Sequence, residues 1–139
     1  VGLMGALADA AIAAGGEVVG FMPERLLGRE VGHRGISDLT VTTDMFERKR
    51  LMIGGSDAFL ALPGGLGTID EILDVVTLRQ LGYHDNPIVL VDDQGFWRPL
   101  DDLVRHVVER GFAERHVTAL YRLVPDLDAA LDALGRAEG

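Results

Sequence analysis

A glycine-rich run at residues 63–68 (Pro-Gly-Gly-Leu-Gly-Thr) is the part of this sequence whose residue types most clearly indicate chemistry. An apolar run at residues 57–62 precedes it, and a helix-start pattern follows it directly. In α/β proteins, a strand, a tight glycine turn and a helix N-terminus form anion sites, because backbone N–H groups and the helix dipole point at one place. Glycine lets the backbone approach a ligand closely, since it has no Cβ atom. The run therefore predicts a site of phosphate size.

The spacing of this run distinguishes between kinds of phosphate ligand. A Walker A loop needs Gly-Lys-Ser/Thr and a dinucleotide loop needs Gly-x-Gly-x-x-Gly, and the absence of both patterns disfavours ATP hydrolysis and NAD binding. A monophosphate or another small anion remains. The alternative is purely structural, because Thr68 and Glu71 match the Thr-x-x-Glu capping box, which satisfies helix N–H groups and does nothing else. Three glycines, however, exceed what a helix start built for stability alone requires.

Three charged residues extend the interpretation from binding to catalysis. Glu71 next to a phosphate site is a carboxylate suited to developing positive charge, as in the oxocarbenium-like transition state of glycosyl transfer. Arg48 and Lys49 lie on the predicted helix that leads to the same segment, where an arginine could bind phosphate bidentately or polarise a leaving base. Together they indicate a sugar phosphate cleaved at its anomeric carbon. The alternative for Arg48 and Lys49 is a solvated basic helix face.

Alternating hydrophobic patterns predict the elements that position these residues. We predict strands at residues 17–22, 39–42, 57–62, 87–91 and 121–124. Helices are predicted at 2–14, from a cap at Thr43 or Asp44 to Gly54, at 69–82, at 96–110 and after Asp126. Strands that alternate with helices imply a doubly wound parallel sheet, in which ligands bind beyond the carboxyl ends of the strands. Residues 63–68 lie at such an end.

The same patterns make two further predictions about the chain. Helical spacing directs a set of apolar side chains into the core, among them Met45, Leu73, Leu103 and Leu131. Residues 24–38 are polar and irregular, and they form either a functional loop or a solvated connection. Phe96 and Trp97 begin an amphipathic helix and are interpreted as packing residues.

Composition limits the classes of function. The 139 residues suggest one domain, and 47% hydrophobic with 25% charged residues is an ordinary globular balance. A net charge of −9 argues against a nucleic-acid or anionic-membrane surface, so a phosphate site must be a local pocket. The lack of cysteine excludes thiolate catalysis and cysteine–zinc sites in this sequence, and it fits the cytoplasm, where we expect the protein. The four histidines lack metal-ligand spacing, and no apolar run is long enough to cross a membrane.

Two motifs at a fixed spacing resemble a known family. Residues 63–71 (Pro-Gly-Gly-Leu-Gly-Thr-Ile-Asp-Glu) match the Pro-Gly-Gly-x-Gly-Thr-x-x-Glu signature of the LOG ("lonely guy") family. Residues 45–49 (Met-Phe-Glu-Arg-Lys) resemble its Met-x-x-Arg-Lys element at the expected distance upstream, and residues 1–5 and 80–84 are also similar to family segments. The resemblance covers essentially the whole chain. Members are cytokinin riboside 5′-monophosphate phosphoribohydrolases, often mislabelled lysine decarboxylases.

The resemblance implies a single Rossmann-like domain over residues 1–139, no metal or organic cofactor, and a homodimer or larger homo-oligomer. It implies hydrolysis of adenosine 5′-monophosphate (AMP), plain or N6-modified, to the free base and ribose 5-phosphate. Arg48 and Glu71 fall on the family's catalytic pair. The implied substrate-binding positions are Glu30, Lys49, Gly64, Gly65, Leu66, Gly67, Thr68 and Thr77.

One family feature is absent from this sequence, a strand–helix–strand unit with a glycine-rich turn before residues 1–5, so we expect the sheet to lack its N-terminal strands. Two other functions compete with hydrolysis. Rossmann-like carriers bind a phosphate-bearing ligand such as molybdenum cofactor without cleaving it, but a pure carrier has no need for Glu71 beside its phosphate. A lysine decarboxylase would need a pyridoxal phosphate Schiff base on Lys49, the only lysine, and no cofactor-binding pattern accompanies it.

Overall fold

The computed structural model describes residues 2–26 and 38–138, and the chain divides into two compact units, Val1–Ser56 and Asp57–Gly139. All paired β-strands in both units are parallel, as the alternation of strands and helices predicts. The α/β class with parallel strands is therefore confirmed, whereas the single domain over residues 1–139 stays a prediction. Within the described residues, no helix combines the length and the apolar character that crossing a membrane requires.

The described residues of the first unit form two α-helices, one 3₁₀ helix and one parallel pair of strands. In the pair, Val19 lies opposite Asp38 and Pro23 lies opposite Thr42. The strand predicted at 17–22 to be buried is buried only at its carboxyl end, since Val19 is 47% exposed whereas Pro23 is buried. The elements are α1 (Gly2–Ala13), β1 (Val19–Pro23), a 3₁₀ helix (Glu24–Leu26), β2 (Asp38–Thr42) and α2 (Met45–Gly54).

The second unit is a three-stranded parallel sheet with its connecting helices. The strand order is β3-β4-β5, so β4 is central, and all four of its residues are buried. The strands and α-helices are β3 (Phe59–Ala61), α3 (Leu66–Gln80), β4 (Ile88–Val91), α4 (Arg98–Glu109), β5 (Arg122–Val124) and α5 (Leu127–Glu138). Two 3₁₀ helices, Asp93–Gly95 and Arg115–Ala119, precede α4 and β5 respectively.

The core of the second unit forms where α5 packs on one face of the sheet. Val89 and Val91 of β4 lie on that face because alternate residues of a strand point to opposite sides. They form a buried cluster with Val124 of β5 and Ala130 of α5, and Leu60 and Leu62 pack against this cluster together with residues of α5. This packing fixes the end of β3, from which the glycine-rich run leaves the sheet.

Four side chains that the helical spacing directs into a core are instead largely exposed. They are Met45 (41%), Leu73 (43%), Leu103 (56%) and Leu131 (56%). These four predictions are wrong because an apolar period identifies a helix face but does not specify whether another element covers all of it. The fully buried residues of α3 are Ile72 and Val75.

A hydrogen-bonded network joins α4 to the segment that precedes β5. The Tyr121 hydroxyl donates to Oδ1 of Asp101 at 2.6 Å, and Nε of Arg105 donates to Oδ2 at 2.9 Å. Burial alone would raise the pKa of Asp101, but these hydrogen bonds and the nearby arginine charges outweigh burial and lower the pKa. Burial and the bond to Asp101 raise the pKa of Tyr121.

We expect Asp101→Asn to lower the free energy of unfolding at pH 7 by about 1 kcal/mol, because two donors lose a charged acceptor. A carboxyl whose pKa is lowered by folding stabilises the native state above its unfolded pKa, near 3.8, and loses that contribution as the pH falls through the folded value. The difference in the free energy of unfolding between wild type and Asp101→Asn should therefore shrink below about pH 4. Denaturant unfolding at pH 7 and pH 3 measures it, with the exposed neighbour Asp102→Asn as control. A difference of the same size at both pH values would contradict this account.

Candidate functional site

The glycine-rich run connects the carboxyl end of β3 to the start of α3. The strand ends at Ala61, and the helix begins at Leu66 with Gly65 as its N-cap residue, so its predicted start at residue 69 is wrong. Gly65 has φ −89° and ψ −161°, and no side-chain capping hydrogen bond is made there. The helix therefore starts inside the glycine run and not after it.

Thr68 is the third residue of α3 and not its cap. The structural alternative of a capping box formed by Thr68 and Glu71 is wrong, because Gly65 occupies the N-cap position that the box would assign to Thr68. The Thr68 side chain packs against Gly64 instead. A Cβ on Gly64 would lie 2.9 Å from the Cβ of Thr68 and would collide with its Oγ1. Glycine at position 64 therefore has an explanation within the fold.

The first turn of α3 has backbone N–H donors that point out of the N-terminal end of the helix. Its first backbone hydrogen bond runs from Ile69 N to the carbonyl oxygen of Gly65, at 3.2 Å. The N–H groups of Leu66, Gly67 and Thr68 precede it and have no acceptor along the helix. No acidic side chain lies in the first turn of this described helix, so no carboxylate there offsets the positive end of its dipole. These three N–H groups are the candidate anion position.

Gly65 and Gly67 differ from Gly64 in their surroundings. A Cβ added to either residue would meet no described atom within 4 Å, and neither residue has a positive φ. Neither the packing of the described residues nor the backbone conformation therefore requires glycine at these two positions. A ligand that approaches the backbone closely would require it at both. This contrast favours a binding site over a turn that serves the fold alone.

Glu71 lies on the same face of α3 as Gly67. The two residues are four apart, a spacing that places them one helical turn from each other. Glu71 is half-buried, and helical side chains lean toward the N-terminus of their helix, over the preceding turn. A side chain with this lean at position 71 would bring its carboxylate toward the turn that contains Gly67. A molecule held by an anionic group at the helix start would extend past this carboxylate.

The other two predicted contacts on α3 have different positions. Leu66 is the first residue of the helix and is 83% exposed. Thr77 is exposed and lies nine residues after Thr68, which corresponds to about 14 Å along the helix axis. Within α3 the structure therefore does not bring Thr77 next to the anion position, and its role in binding stays a prediction.

The helix that carries Arg48 and Lys49 begins with a side-chain cap. Of the two predicted caps, Asp44 takes this role, and its carboxylate accepts a hydrogen bond from Glu47 N at 2.8 Å. Glu47 in turn accepts hydrogen bonds from Thr43, at 3.3 Å from the backbone N and at 3.1 Å from Oγ1. These reciprocal bonds determine where α2 starts and hence where Arg48 stands on it.

Arg48 is half-buried and attached to the neighbouring strand. Its Nε donates a hydrogen bond to the carbonyl oxygen of Phe21 in β1, at 2.9 Å. This bond orients the guanidinium plane, and the two Nη groups carry the remaining N–H donors. Arg48 is therefore not part of a solvated basic helix face, whereas the exposed Arg50 is. The contact has no signal in the sequence, because its acceptor is a backbone carbonyl of a distant strand.

Lys49 is held by a different contact from that of Arg48. Its Nζ lies 5.5 Å from the centroid of the Phe46 ring, and Phe46 is 77% exposed. The first unit thus brings Arg48 and Lys49 together, and the second unit brings residues 64–68 together with Glu71. Glu30, the remaining predicted contact, lies outside the described residues.

His84 has a structural role that its position in the sequence does not reveal. Its Nδ1 accepts a hydrogen bond from Asn86 N at 3.1 Å, so Nε2 carries the proton and donates to the carbonyl oxygen of Val75 at 2.9 Å. Its ring also contacts the Phe59 ring of β3, at 5.3 Å between centroids. Trp97 is 1% exposed, as its interpretation as a packing residue requires, whereas Phe96 is 41% exposed and packs only in part, through a T-shaped contact with the Trp97 ring. Residues 2–26 and 38–138 contain no cluster of three side chains suited to hold a metal ion.

A comparison with protein families matches nearly all of the chain to one of them. The family is described as "Possible lysine decarboxylase", and the match covers residues 4–134. It includes the start of α3 and the Arg48–Lys49 pair.

Curated proteins similar to this chain carry a different enzyme name. The chain is 44% identical over 134 residues to the cytokinin riboside 5′-monophosphate phosphoribohydrolase of Mycobacterium tuberculosis, over 96% of this chain and 70% of that protein. It is 42% identical over 135 residues to the protein of that name from Rhodococcoides fascians, over 96% and 68% respectively. With a counterpart from Arabidopsis thaliana it shares 39% identity over 120 residues, 84% of this chain and 56% of the plant protein. The chain thus spans about two thirds of these bacterial relatives and little more than half of the plant relative.

Proposed function

The chain belongs to the LOG family, and we propose that it hydrolyses the N-glycosidic bond of AMP, plain or N6-modified, to the free purine base and ribose 5-phosphate. The base released from an N6-modified substrate is a cytokinin. One observation carries the proposal, the start of α3, where the N-cap has no side chain and two glycines are not required by the described packing. A nucleoside monophosphate supplies a phosphate for this helix start and an anomeric carbon for Glu71, one turn further along.

In the proposed mechanism, the phosphate accepts hydrogen bonds from the N–H groups of Leu66, Gly67 and Thr68. The bond between C1′ and the purine nitrogen breaks, its electron pair leaves with the base, and C1′ becomes oxocarbenium-like. Glu71 stabilises this positive charge or orients the attacking water. The hydroxide of the water adds to C1′ and its proton ends on the departing base, so atoms and charges balance. The reaction uses water and no metal or organic cofactor.

Arg48 and Lys49 are the proposed cationic contacts of the substrate. By the family resemblance, Arg48 and Glu71 are the two proposed catalytic residues, and Arg48 assists either the phosphate or the departing purine. Its bond to the Phe21 carbonyl supports this role, because an arginine whose plane is already oriented loses less freedom on binding. Glu30 and Thr77 are proposed substrate contacts on the strength of the family resemblance.

The description "lysine decarboxylase" does not fit the residues of this chain. A pyridoxal phosphate enzyme of this sequence would have to form its Schiff base on Lys49, the only lysine. The Nζ atom of Lys49 lies 5.5 Å from the centroid of the Phe46 ring, and no cofactor-binding pattern accompanies this lysine in the sequence. The names of the curated relatives agree with the hydrolase proposal.

A homodimer is part of the same proposal. Apolar side chains of α3 and the turn after it are exposed, namely Leu66 (83%), Leu73 (43%), Leu81 (65%) and Tyr83 (77%). Leu66 and Leu73 are seven residues apart and therefore share one face of the helix. A second copy of the chain would cover this face, and light scattering of the purified protein measures whether it does.

We also propose the doubly wound, Rossmann-like form of the sheet, in which the family has an N-terminal strand–helix–strand unit. The parallel pairing of every described strand supports it, because parallel strands need crossover connections of the kind that α3 and α4 provide. The DNA sequence upstream of the Val1 codon shows directly whether that unit is encoded.

Incubation of the purified chain with AMP and with isopentenyladenosine monophosphate tests the proposed activity. Chromatography should detect adenine or isopentenyladenine together with an equal amount of ribose 5-phosphate. Unchanged nucleotides from a sample that circular dichroism shows to be folded would contradict the activity. Tight nucleotide binding without release of base would favour a phosphate-ligand carrier instead.

A further inference from the structure

Phe46 is an exposed aromatic residue within the element that carries Arg48 and Lys49. It is 77% exposed on α2, a helix that has no fully buried residue. Lys49 follows it by three residues, a spacing at which side chains meet on a helix surface. The 5.5 Å between the Lys49 Nζ and the ring centroid lies within the cation–π range of about 6 Å. Loss of the Phe46 ring would therefore cost little packing and would remove this contact of the Lys49 ammonium.

The two adjacent cations of α2 differ in how much restraint they need. Arg48 has a planar, directional head group, and its hydrogen bond to the Phe21 carbonyl orients it. Lys49 has a compact charge on a flexible stem, which explores many rotamers unless something restrains it. Ordering such a side chain when a ligand binds weakens the binding, and a contact that orders it beforehand removes part of that loss.

We propose that Phe46 is a positioning residue, which holds the Lys49 ammonium in place for the phosphate-bearing substrate. The inference rests on the proposed function, in which Lys49 contacts that substrate. Phe46 does not touch the reacting atoms, and its effect passes through Lys49. Substitution of Phe46 should therefore raise KM and leave kcat unchanged. KM should rise by the same factor for AMP and for isopentenyladenosine monophosphate, because both nucleotides carry the same phosphate.

Three substitutions separate the charge interaction from simple bulk. Phe46→Ala removes the side chain, Phe46→Leu keeps an apolar side chain without a ring, and Phe46→Trp keeps a ring that attracts cations more strongly. KM and the Kd for AMP should rise about two- to fivefold in the alanine and leucine variants, the range of an exposed cation–π contact. The tryptophan variant should retain the wild-type constants or lower them. Phe112→Ala, at an 84% exposed residue of the other unit, is the control and should leave the constants unchanged.

A double-mutant cycle with Lys49→Ala tests whether the effect passes through Lys49. Once Lys49 is absent, Phe46→Ala should have no further effect on KM. An undiminished effect in that background would overturn the proposal, and so would a wild-type KM in Phe46→Leu. A changed preference between the two nucleotides would show that Phe46 contacts the base directly, which also overturns it. If the wild type neither binds nor cleaves AMP, the proposed function itself fails, whereas cleavage by Phe46→Ala with wild-type constants refutes only the positioning role.

Discussion

Glu71→Gln should lower kcat for base release by about 10²- to 10⁴-fold, the range over which positioned acid–base groups contribute. Glutamine has the size and nearly the helix propensity of glutamate, and residue 71 lies beyond the first turn of α3, so the fold should be retained. Removal of a negative charge beside the phosphate should leave AMP binding equal or tighter. The chromatographic assay measures turnover, and calorimetric titration with AMP measures binding.

Asp70→Asn is the matched control for this substitution. Asp70 precedes Glu71 in the same helix, is exposed, and projects about 100° away around the helix axis. The same loss of one carboxylate charge at this position should leave kcat close to the wild-type value. Equal turnover by Glu71→Gln and the wild type would deprive Glu71 of a catalytic role, and the proposed mechanism would lose its only carboxylate.

Gly67→Ala is expected to weaken AMP binding at least about tenfold, a loss of about 1.4 kcal/mol, while the fold is kept or stabilised. The added methyl group enters space that no described residue fills, on the helix face that leads from the anion position to Glu71. It should therefore collide with the substrate and not with the protein. Alanine favours a helix over glycine by up to about 1 kcal/mol, so the unfolding temperature should not fall. Scanning calorimetry and AMP titration measure the two effects.

Gly135→Ala gives the comparison for Gly67→Ala. Gly135 also lies in a helix, α5, and a Cβ there would also meet no described atom within 4 Å. This variant should gain stability and bind AMP as the wild type does. Gly64→Ala should lose stability, since its methyl group would collide with Thr68. An unchanged Kd for AMP in Gly67→Ala would mean that the substrate does not pass over this residue, and the proposed orientation would be wrong.

The connection between β3 and α3 shows what the sequence could and could not predict at the site. The apolar run at 57–62 and the glycines located the turn correctly, because these residue types favour few other structures. The helix start was misplaced because glycine is a poor helix former and Thr68 with Glu71 resembles a capping box. In the structure the helix begins at Leu66, and a glycine serves as its cap.

Contacts to the backbone account for much of what the sequence could not predict. Arg48 binds the carbonyl of Phe21 and His84 contacts the carbonyl of Val75, and every residue has such a carbonyl. Residue types therefore carry no information about which acceptor is used. The exposed Leu73 and Leu131 illustrate a related limit. A helical period identifies an apolar face of a helix, but it does not show whether another element packs against that face. The strand at Ile88–Val91 was predictable, since a run of β-branched residues between turn residues has one dominant interpretation.

Under the proposed function, the missing side chain at the N-cap of α3 would link the lifetime of the protein to its substrate. A glycine N-cap is less favourable than a side-chain cap by only about a few tenths of a kcal/mol, and here the phosphate would bind the N–H groups that such a side chain satisfies. A ligand that binds only the native state adds stability with its concentration, about 2.7 kcal/mol at one hundred times Kd. Since the unfolded fraction governs degradation in cells, the amount of this enzyme should rise when its nucleotide accumulates and decline as the nucleotide is consumed.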